Sequence, residues 1–310
     1  MKVTLLAGGT GGAKLAHGFA LLGSRVELSI IANVGDDVEV HGLHVSPDVD
    51  AIVYTLAGLA AAERGWGITG DTDTARAMFE RLGAETWFAL GDADLAMCIE
   101  RTRRLRDGAR LTDVTRQLAT ALGVEVPVLP ATDDPYRTRL LTDDGPLAFQ
   151  EYFVHRRQQP EVRGVEFDGS ASTRPSPDVL EAIAAADLLV LGPSNPLVSI
   201  GPILALSGVR AAIAAAPAPV VAVSPIVGGR ALKGPADRML ASTGHDATAT
   251  GVARLYADIA DRFVIDDVDA ALAQEISALG MTTAVLPTVM GGDDERAALA
   301  ASILTLLRDA

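Results

Sequence analysis

Four aspartates crowd into a short stretch of this chain: two in Asn33-Val34-Gly35-Asp36-Asp37, and Asp48 and Asp50 in Ser46-Pro47-Asp48-Val49-Asp50. Carboxylates gathered at one place suit Mg²⁺, which takes a few protein oxygens and completes its shell with water and phosphate oxygens. They also suit a ribose, or the orientation of an attacking hydroxyl. Asp50 is the stronger chemical candidate, with Asp36 and Asp37 as further metal ligands. Asp48 has a second reading, as the N-cap or first-turn acid of a helix running on to Leu59.

A second group handles anions without net positive charge. Gly8-Gly9-Thr10-Gly11-Gly12-Ala13-Lys14 lets the backbone approach a phosphate closely and aims N–H groups at it. It is not a Walker A loop, since Ala13-Lys14-Leu15 lacks both the Gly and the magnesium-binding hydroxyl. It also misses the dinucleotide fingerprint, because Lys14 stands where the last Gly belongs. A plain tight turn needs fewer glycines. Gly192-Pro193-Ser194-Asn195-Pro196 and Ser199-Ile200-Gly201-Pro202 add neutral hydrogen-bonding groups at Ser194, Asn195 and Ser199 for a base or a phosphate. Ser224-Pro225-Ile226-Val227-Gly228-Gly229 has the same character, and Gly228 joins the donor side. Both segments also read as rigid loops without a ligand.

A third group suits a flat ring beside an anion. Trp66 is a core residue or a stacking wall. Phe149-Gln150-Glu151-Tyr152-Phe153-Val154-His155-Arg156-Arg157 sets Phe149, Tyr152 and Arg156 close together, as a clamp or as an ordinary amphipathic surface. Leu90-Gly91-Asp92-Ala93-Asp94 adds Asp92 and Asp94. Thr72 or Asp71 reads as a helix cap. The five histidines show no H-E-x-x-H spacing, and no G-x-S-x-G elbow appears, so zinc hydrolysis and serine hydrolysis are disfavoured. Cys98, the single cysteine, falls in a helical pattern as a core thiol, so no internal disulfide forms.

The elements that must position these groups alternate. Val3–Ala7 reads as a buried parallel strand, Ala13–Leu22 as a helix, and Val26–Ala32 as a second strand. Further strands are expected at Thr86–Leu90, Leu188–Leu191, Val220–Val223, Phe263–Ile265 and Thr282–Leu286. The fold class is α/β, a doubly wound, mostly parallel, Rossmann-like sheet whose ligand loops follow the strands' carboxyl ends. Between the halves, helices at Asp94–Leu105 and Thr112–Leu122 precede a hairpin of Arg139–Leu141 and Leu147–Gln150 about Asp143-Asp144-Gly145. The expected division is a core of 1–92 and 176–310 with an inserted, partly helical cap of 93–175, and a boundary in Ser170–Pro177.

The chain's 310 residues suffice for a large buried core. A net charge of −14 argues against nucleic-acid or anionic-membrane partners. The apolar runs are strand-sized, well short of the roughly 20 residues that span a bilayer. The short run before Gly8 lacks a signal peptide's length and cleavage site. A cytoplasmic home is the expectation.

The ordered set Gly8–Leu15, Asn33–Asp37, Ser46–Asp50, Gly91–Asp94, Leu129–Pro135, Phe149–Arg157, Gly192–Leu204 and Ser224–Ala236 resembles the CofD/FbiA family nearly end to end. Its most specific segment is Gly-Pro-Ser-Asn-Pro-x-x-Ser-Ile-Gly-Pro-Ile. The resemblance implies a Mg²⁺-dependent 2-phospho-L-lactate or phosphoenolpyruvate transferase of coenzyme F420 biosynthesis, working as a homodimer. A guanosine diphosphate joined to lactate or enolpyruvate gives its phospho-acid unit to the primary alcohol of the deazaflavin Fo, and GMP leaves. By the same resemblance, Asp50 lies near deazaflavin and metal, and Gly8–Gly12 with Ser194-Asn195 lie on the nucleotide side. Many relatives read Leu-Gly-Asp-Arg-Asp; here Ala93 replaces the Arg, so a charge that could touch an acceptor or phosphate is missing. The rivals are a non-catalytic nucleotide-sugar-binding regulator of the YvcK type, which shares the first glycine loop, and an NAD(P)-dependent oxidoreductase. Ser46–Asp50 and Phe149–Arg157 favour the transferase branch.

Overall fold

Runs such as Leu188–Leu191 and Val220–Val223 are apolar at every position, as strands covered on both faces must be. They lie inside a seven-stranded sheet. The computed structural model describes residues 1–61, 64–169 and 172–309. Across the sheet the order is Thr282–Val285, Arg262–Ile265, Val220–Val223, Leu188–Leu191, Lys2–Ala7, Glu27–Ala32, Val128–Pro130. Every pairing is parallel. The chain winds outward from Lys2–Ala7 to one edge, then returns beside it and winds to the other. The switch point therefore lies between Lys2–Ala7 and Leu188–Leu191, where open α/β sheets take their ligands.

Helix Gly9–Leu21 crosses one face and packs on helices Pro47–Leu56 and Asp293–Thr305. Leu15 and Phe19 carry its buried stripe, and the sheet beneath is filled by Leu5, Leu6, Ile30 and Ile31. The doubly wound expectation holds, with boundaries shifted by a residue or a few.

One expected strand is absent. Thr86–Leu90 forms no strand and pairs with nothing. Its apolar residues Phe88 and Leu90 instead pack with Val40, Val45 and Cys98 in a small satellite core. A β-prone run becomes a strand only where a partner ladder is within reach. The acids of Gly91–Asp94 thus follow no strand; they open helix Asp92–Arg106.

Segment 93–175 has two parts. Helix Leu111–Ala121 leads into Val128–Pro130, which is an edge strand of the central sheet. The expected hairpin is present and larger, a three-stranded antiparallel sheet of Gly145–Ala148, Arg137–Thr142 and Val162–Asp168. Of the expected boundary at Ser170–Pro177, residues 170–171 lie outside the described residues. A second hairpin, Val38–Val40 with Leu43–Val45, follows the second strand and turns at His41-Gly42, both at positive φ. Among the described residues, no helix is long and apolar enough to cross a membrane.

Candidate functional site

At the switch point two turns interlock. The glycine-rich stretch is the first turn of helix Gly9–Leu21 rather than a separate loop. Ser194, from the turn after Leu188–Leu191, donates its hydroxyl to the Gly8 carbonyl (2.7 Å) and accepts from the Gly8 amide (3.2 Å). The approach is too close for side chains. A Cβ on Gly11 would lie 2.2 Å from the Pro193 carbonyl oxygen, and one on Gly8 2.4 Å from an Asp48 carboxylate oxygen. First-turn N–H groups have no carbonyl four residues back to bond. That of Gly9 goes to Asp48 (2.6 Å).

Asp48, Asp36 and Asp37 lie beside this turn, and all three are buried. Asn33 ties two of them, Asp48 and Asp36, together. Its Nδ2 lies 2.9 Å from Asp48, 3.2 Å from the Val198 carbonyl and 3.4 Å from Asp36. Its Oδ1 accepts the Gly35 amide at 2.8 Å. The Gln150 amide donates to Asp36 (3.2 Å), and Asp37 accepts from Ser46 (2.6 Å) and pairs with His44 (2.8 Å). Burial, then the Asp48 and Asp37 charges, push the Asp36 carboxyl well above the usual carboxylate range. Burial likewise raises Asp48 to about 6, against the pull of Asn33 and the Gly9 amide. Buried, mutually repelling carboxylates are residues that could hold a Mg²⁺ ion.

Asp50 differs. Both its oxygens are taken by the buried Arg101, one at 3.1 Å and one closer. Burial raises its carboxyl, and the Arg101 charge pulls it back. Beside this pair the Tyr54 hydroxyl donates to Asp94 at 2.6 Å. Burial lifts Asp94 to about 6 and the Cys98 thiol to about 12. Ligand-type atoms of Asp50, Asp94 and Cys98 lie within 4.8 Å of one another, and among the described residues no other acid, His or Cys trio comes so close. Arg101 already supplies the cation there. A metal at Asp36, Asp37 and Asp48 would therefore use one or two carboxylates directly and water for the rest.

The remaining expected residues are spread around this centre. Lys14 donates to the Met290 carbonyl at 2.7 Å; burial, Arg296 and Lys233 lower its pKa. Asn195 accepts from the Leu197 amide (2.9 Å), and Ser199 precedes helix Ile200–Ala205. Gly228 opens the turn of a two-residue hairpin and donates to Asp269 at 2.9 Å. Trp66 is 49% exposed, with the Arg64 guanidinium 6.0 Å over its ring. Asp92 serves neighbouring backbone: it accepts the Thr72 hydroxyl (2.6 Å) and the Ala75 amide (2.9 Å), which hold its carboxyl down to about 2. Asp71 in turn accepts the Ala93 (2.8 Å) and Asp94 (3.1 Å) amides at the start of helix Asp92–Arg106. Phe149 stacks on Phe153 with ring centroids 5.5 Å apart, Tyr152 is buried against Leu140 and Met239, and Arg156 is exposed beside Asp144 and Glu151. These three therefore do not form one clamp: Tyr152 fills a core and Arg156 pairs at the surface.

The raised carboxyls make stability depend on pH. Asp48 and Asp94 titrate near 6 when folded and near 4 when unfolded. A raised pKa favours folding fully below the unfolded value, and that contribution is lost as pH rises through about 6. Each group is worth on the order of 3 kcal/mol across the window. His17, lowered chiefly by burial, pulls modestly the other way. The metal-free protein is expected to melt several degrees higher at pH 5 than at pH 8. A calorimetric melting temperature that stays flat or falls on acidification over this range contradicts the assignment.

Fold and site together define a doubly wound α/β protein with buried carboxylates packed against the helix start at its switch point. A model of the family CofD, 2-phospho-L-lactate transferase, matches residues 3–284, and the chain belongs to that family. It is 40% identical over 315 residues to a phosphoenolpyruvate transferase of Streptomyces griseus, covering 100% of this chain and 99% of the relative. It is 37% identical over 306 residues to a 2-phospho-L-lactate transferase of Methanocaldococcus jannaschii, covering 97% of each. A crystal structure of a UPF0052 family member from Bacillus halodurans superposes with a TM-score of 0.66 at 19% identity, covering 98% of each chain; that likeness concerns the fold.

Proposed function

We propose that this protein transfers a phospholactyl or phosphoenolpyruvyl unit from a guanosine diphosphate conjugate to the hydroxyl of the deazaflavin Fo, with Mg²⁺, as a cytoplasmic homodimer. The observation that carries the reading is the meeting of two groups at the switch point: the interlocked Gly8–Gly12 and Ser194 turns, and the buried Asp36, Asp37 and Asp48 beside them. Family membership supports the transferred group.

In this scheme the first turn of helix Gly9–Leu21 holds the donor's phosphates through backbone N–H groups. Asp36, Asp37 and Asp48 would hold a Mg²⁺ ion, which would offset charge on the diphosphate. Asp50 orients the Fo hydroxyl. The hydroxyl oxygen attacks the phosphorus bearing the acid as its proton passes to water, and the bond from that phosphorus to the bridging oxygen breaks with its electrons leaving on GMP. Positioning and charge neutralisation suffice for such a transfer, with no covalent nucleophile.

Incubation with Fo, Mg²⁺ and each guanylated donor, followed by product mass, tests the reading. A mass gain on Fo with one donor supports it and names the acid. No product from either donor, with no change in melting temperature on adding Fo, points to the non-catalytic nucleotide-binding regulator instead. The metal assignment has its own expected outcome. Protons and metal compete for the same carboxylates, so Mg²⁺ raises the melting temperature more at pH 8 than at pH 5.5. Equal or smaller shifts at pH 8 rule out Asp36 and Asp48 as the seat.

A further inference from the structure

We propose that Arg101 is a positioning residue for the acceptor side of the site, holding the Asp50 carboxylate from behind so that it meets the acceptor hydroxyl in one fixed orientation. The proposal rests on the transfer reading above for the role of Asp50.

Arginine is rarely buried without a partner, yet Arg101 is only 2% exposed. Its two terminal nitrogens take the two oxygens of Asp50, the fork-on-fork geometry that fixes both position and plane. Nη1 also reaches the His44 carbonyl at 3.4 Å, and the buried Nε has no partner among the described residues. The guanidinium is thus committed to one carboxylate. Asp50 stands in the first turn of helix Pro47–Leu56, two residues after Asp48, whose carboxylate holds the Gly9 amide at the donor side. Arg101 comes from helix Asp92–Arg106, a different part of the chain. The pair therefore sets the distance between that helix and the first turn that carries both acids.

The neighbours explain why the cation must be there. Asp94 and Cys98 place ligand-type atoms within 4.8 Å of Asp50, and Tyr54 gives its hydroxyl to Asp94 rather than to Asp50. Without Arg101, two buried carboxylates would stand close together with no cation beside them. Asp50 would then be free to swing away, and its fixed orientation toward an acceptor is lost.

The test uses full-length Arg101→Met, Arg101→Lys, Asp50→Asn and the double variant Asp50→Asn/Arg101→Met. The readouts are kinetics with Fo and donor varied separately, affinity for GDP as a donor-side probe, and melting temperature. Arg101→Met is expected to lose about 100-fold in kcat/KM for Fo, the scale of a small misplacement, with GDP affinity unchanged. Arg101→Lys restores only a small part, because an ammonium cannot make two parallel bonds. The double variant regains melting temperature lost by Arg101→Met, since removing both partners leaves no unpaired buried charge. It turns over no more slowly than Asp50→Asn alone, because the two residues act as one unit. A folded Arg101→Met with wild-type kcat/KM for Fo overturns the proposal. So does a double variant in which the two rate losses multiply. A wild type that converts Fo with neither donor removes the transfer reading and this role with it, whatever the variants do; an active wild type matched by Arg101→Met removes this role alone.

Discussion

Asp50→Asn is expected to lower turnover of Fo by about 100- to 1,000-fold, the range for losing a preorganised charge or a fixed orientation at a reacting group. The substitution keeps the shape of the side chain and removes one negative charge. Asn offers Arg101 one acceptor oxygen where Asp50 offers two, and its NH₂ faces a guanidinium that can only donate. Arg101 is then left buried and uncompensated, which costs on the order of 3 kcal/mol or more of stability. Activity must therefore be measured well below the variant's melting temperature, with circular dichroism confirming the fold. GDP affinity is expected to persist, because the Gly8–Gly12 and Ser194 contacts do not involve Asp50. A folded Asp50→Asn protein with normal turnover in Mg²⁺ takes Asp50 out of the mechanism and leaves the buried pair as architecture.

Some of this site was readable from residue order and some was not. The strands Lys2–Ala7 and Leu188–Leu191 announce themselves as mostly apolar runs ending in glycine, so the two turns at the switch point follow directly. Val128–Pro130 is three residues long, too short for a periodic signal, and joins the sheet only because Glu27–Ala32 offers an open edge. Thr86–Leu90 has the reverse history: good local strand character and no edge to join. The acids were visible, but their partners were not. Asn33 looks like an ordinary residue after a strand, yet its amide joins Asp48, Asp36 and the Val198 carbonyl. Arg101 sits in Glu100-Arg101-Thr102-Arg103-Arg104, which reads as a solvated helix face. Arg103 and Arg104 do bond Glu100 at the surface, while Arg101 points the other way. The helical phase that separates them is legible only once it is known which side of the helix meets the core. Asp48 could not be divided between cap and ligand because it is both a first-turn acid of its own helix and the acceptor for the first amide of another.

Gly11→Ala is the sharper test of the donor wall, because the obstruction is backbone against backbone. Its Cβ would stand 2.2 Å from the Pro193 carbonyl oxygen and 3.3 Å from the carbonyl carbon. No rotamer change relieves that contact; either the helix start or the Gly192–Pro196 turn must move. Ala is favoured over Gly inside a helix by up to about 1 kcal/mol, and overpacking of this kind costs about 1–3 kcal/mol and occasionally more. The net is destabilising, with a melting temperature lower by several degrees. The functional loss should be larger than the stability loss. Pushing Pro193 away also parts Ser194 from Gly8, so the N–H groups of the first turn no longer face a fixed opposite wall, and GDP affinity falls with them. Gly164→Ala is the matched control. That glycine lies in strand Val162–Asp168, where a Cβ meets only Leu141 at an ordinary 3.4 Å, and it should melt close to wild type and bind GDP unchanged. If Gly11→Ala behaves like Gly164→Ala in both measurements, the two turns do not interlock as described. If it melts lower but binds GDP normally, the turns interlock for stability, and the donor's phosphates must be sought elsewhere along the switch point.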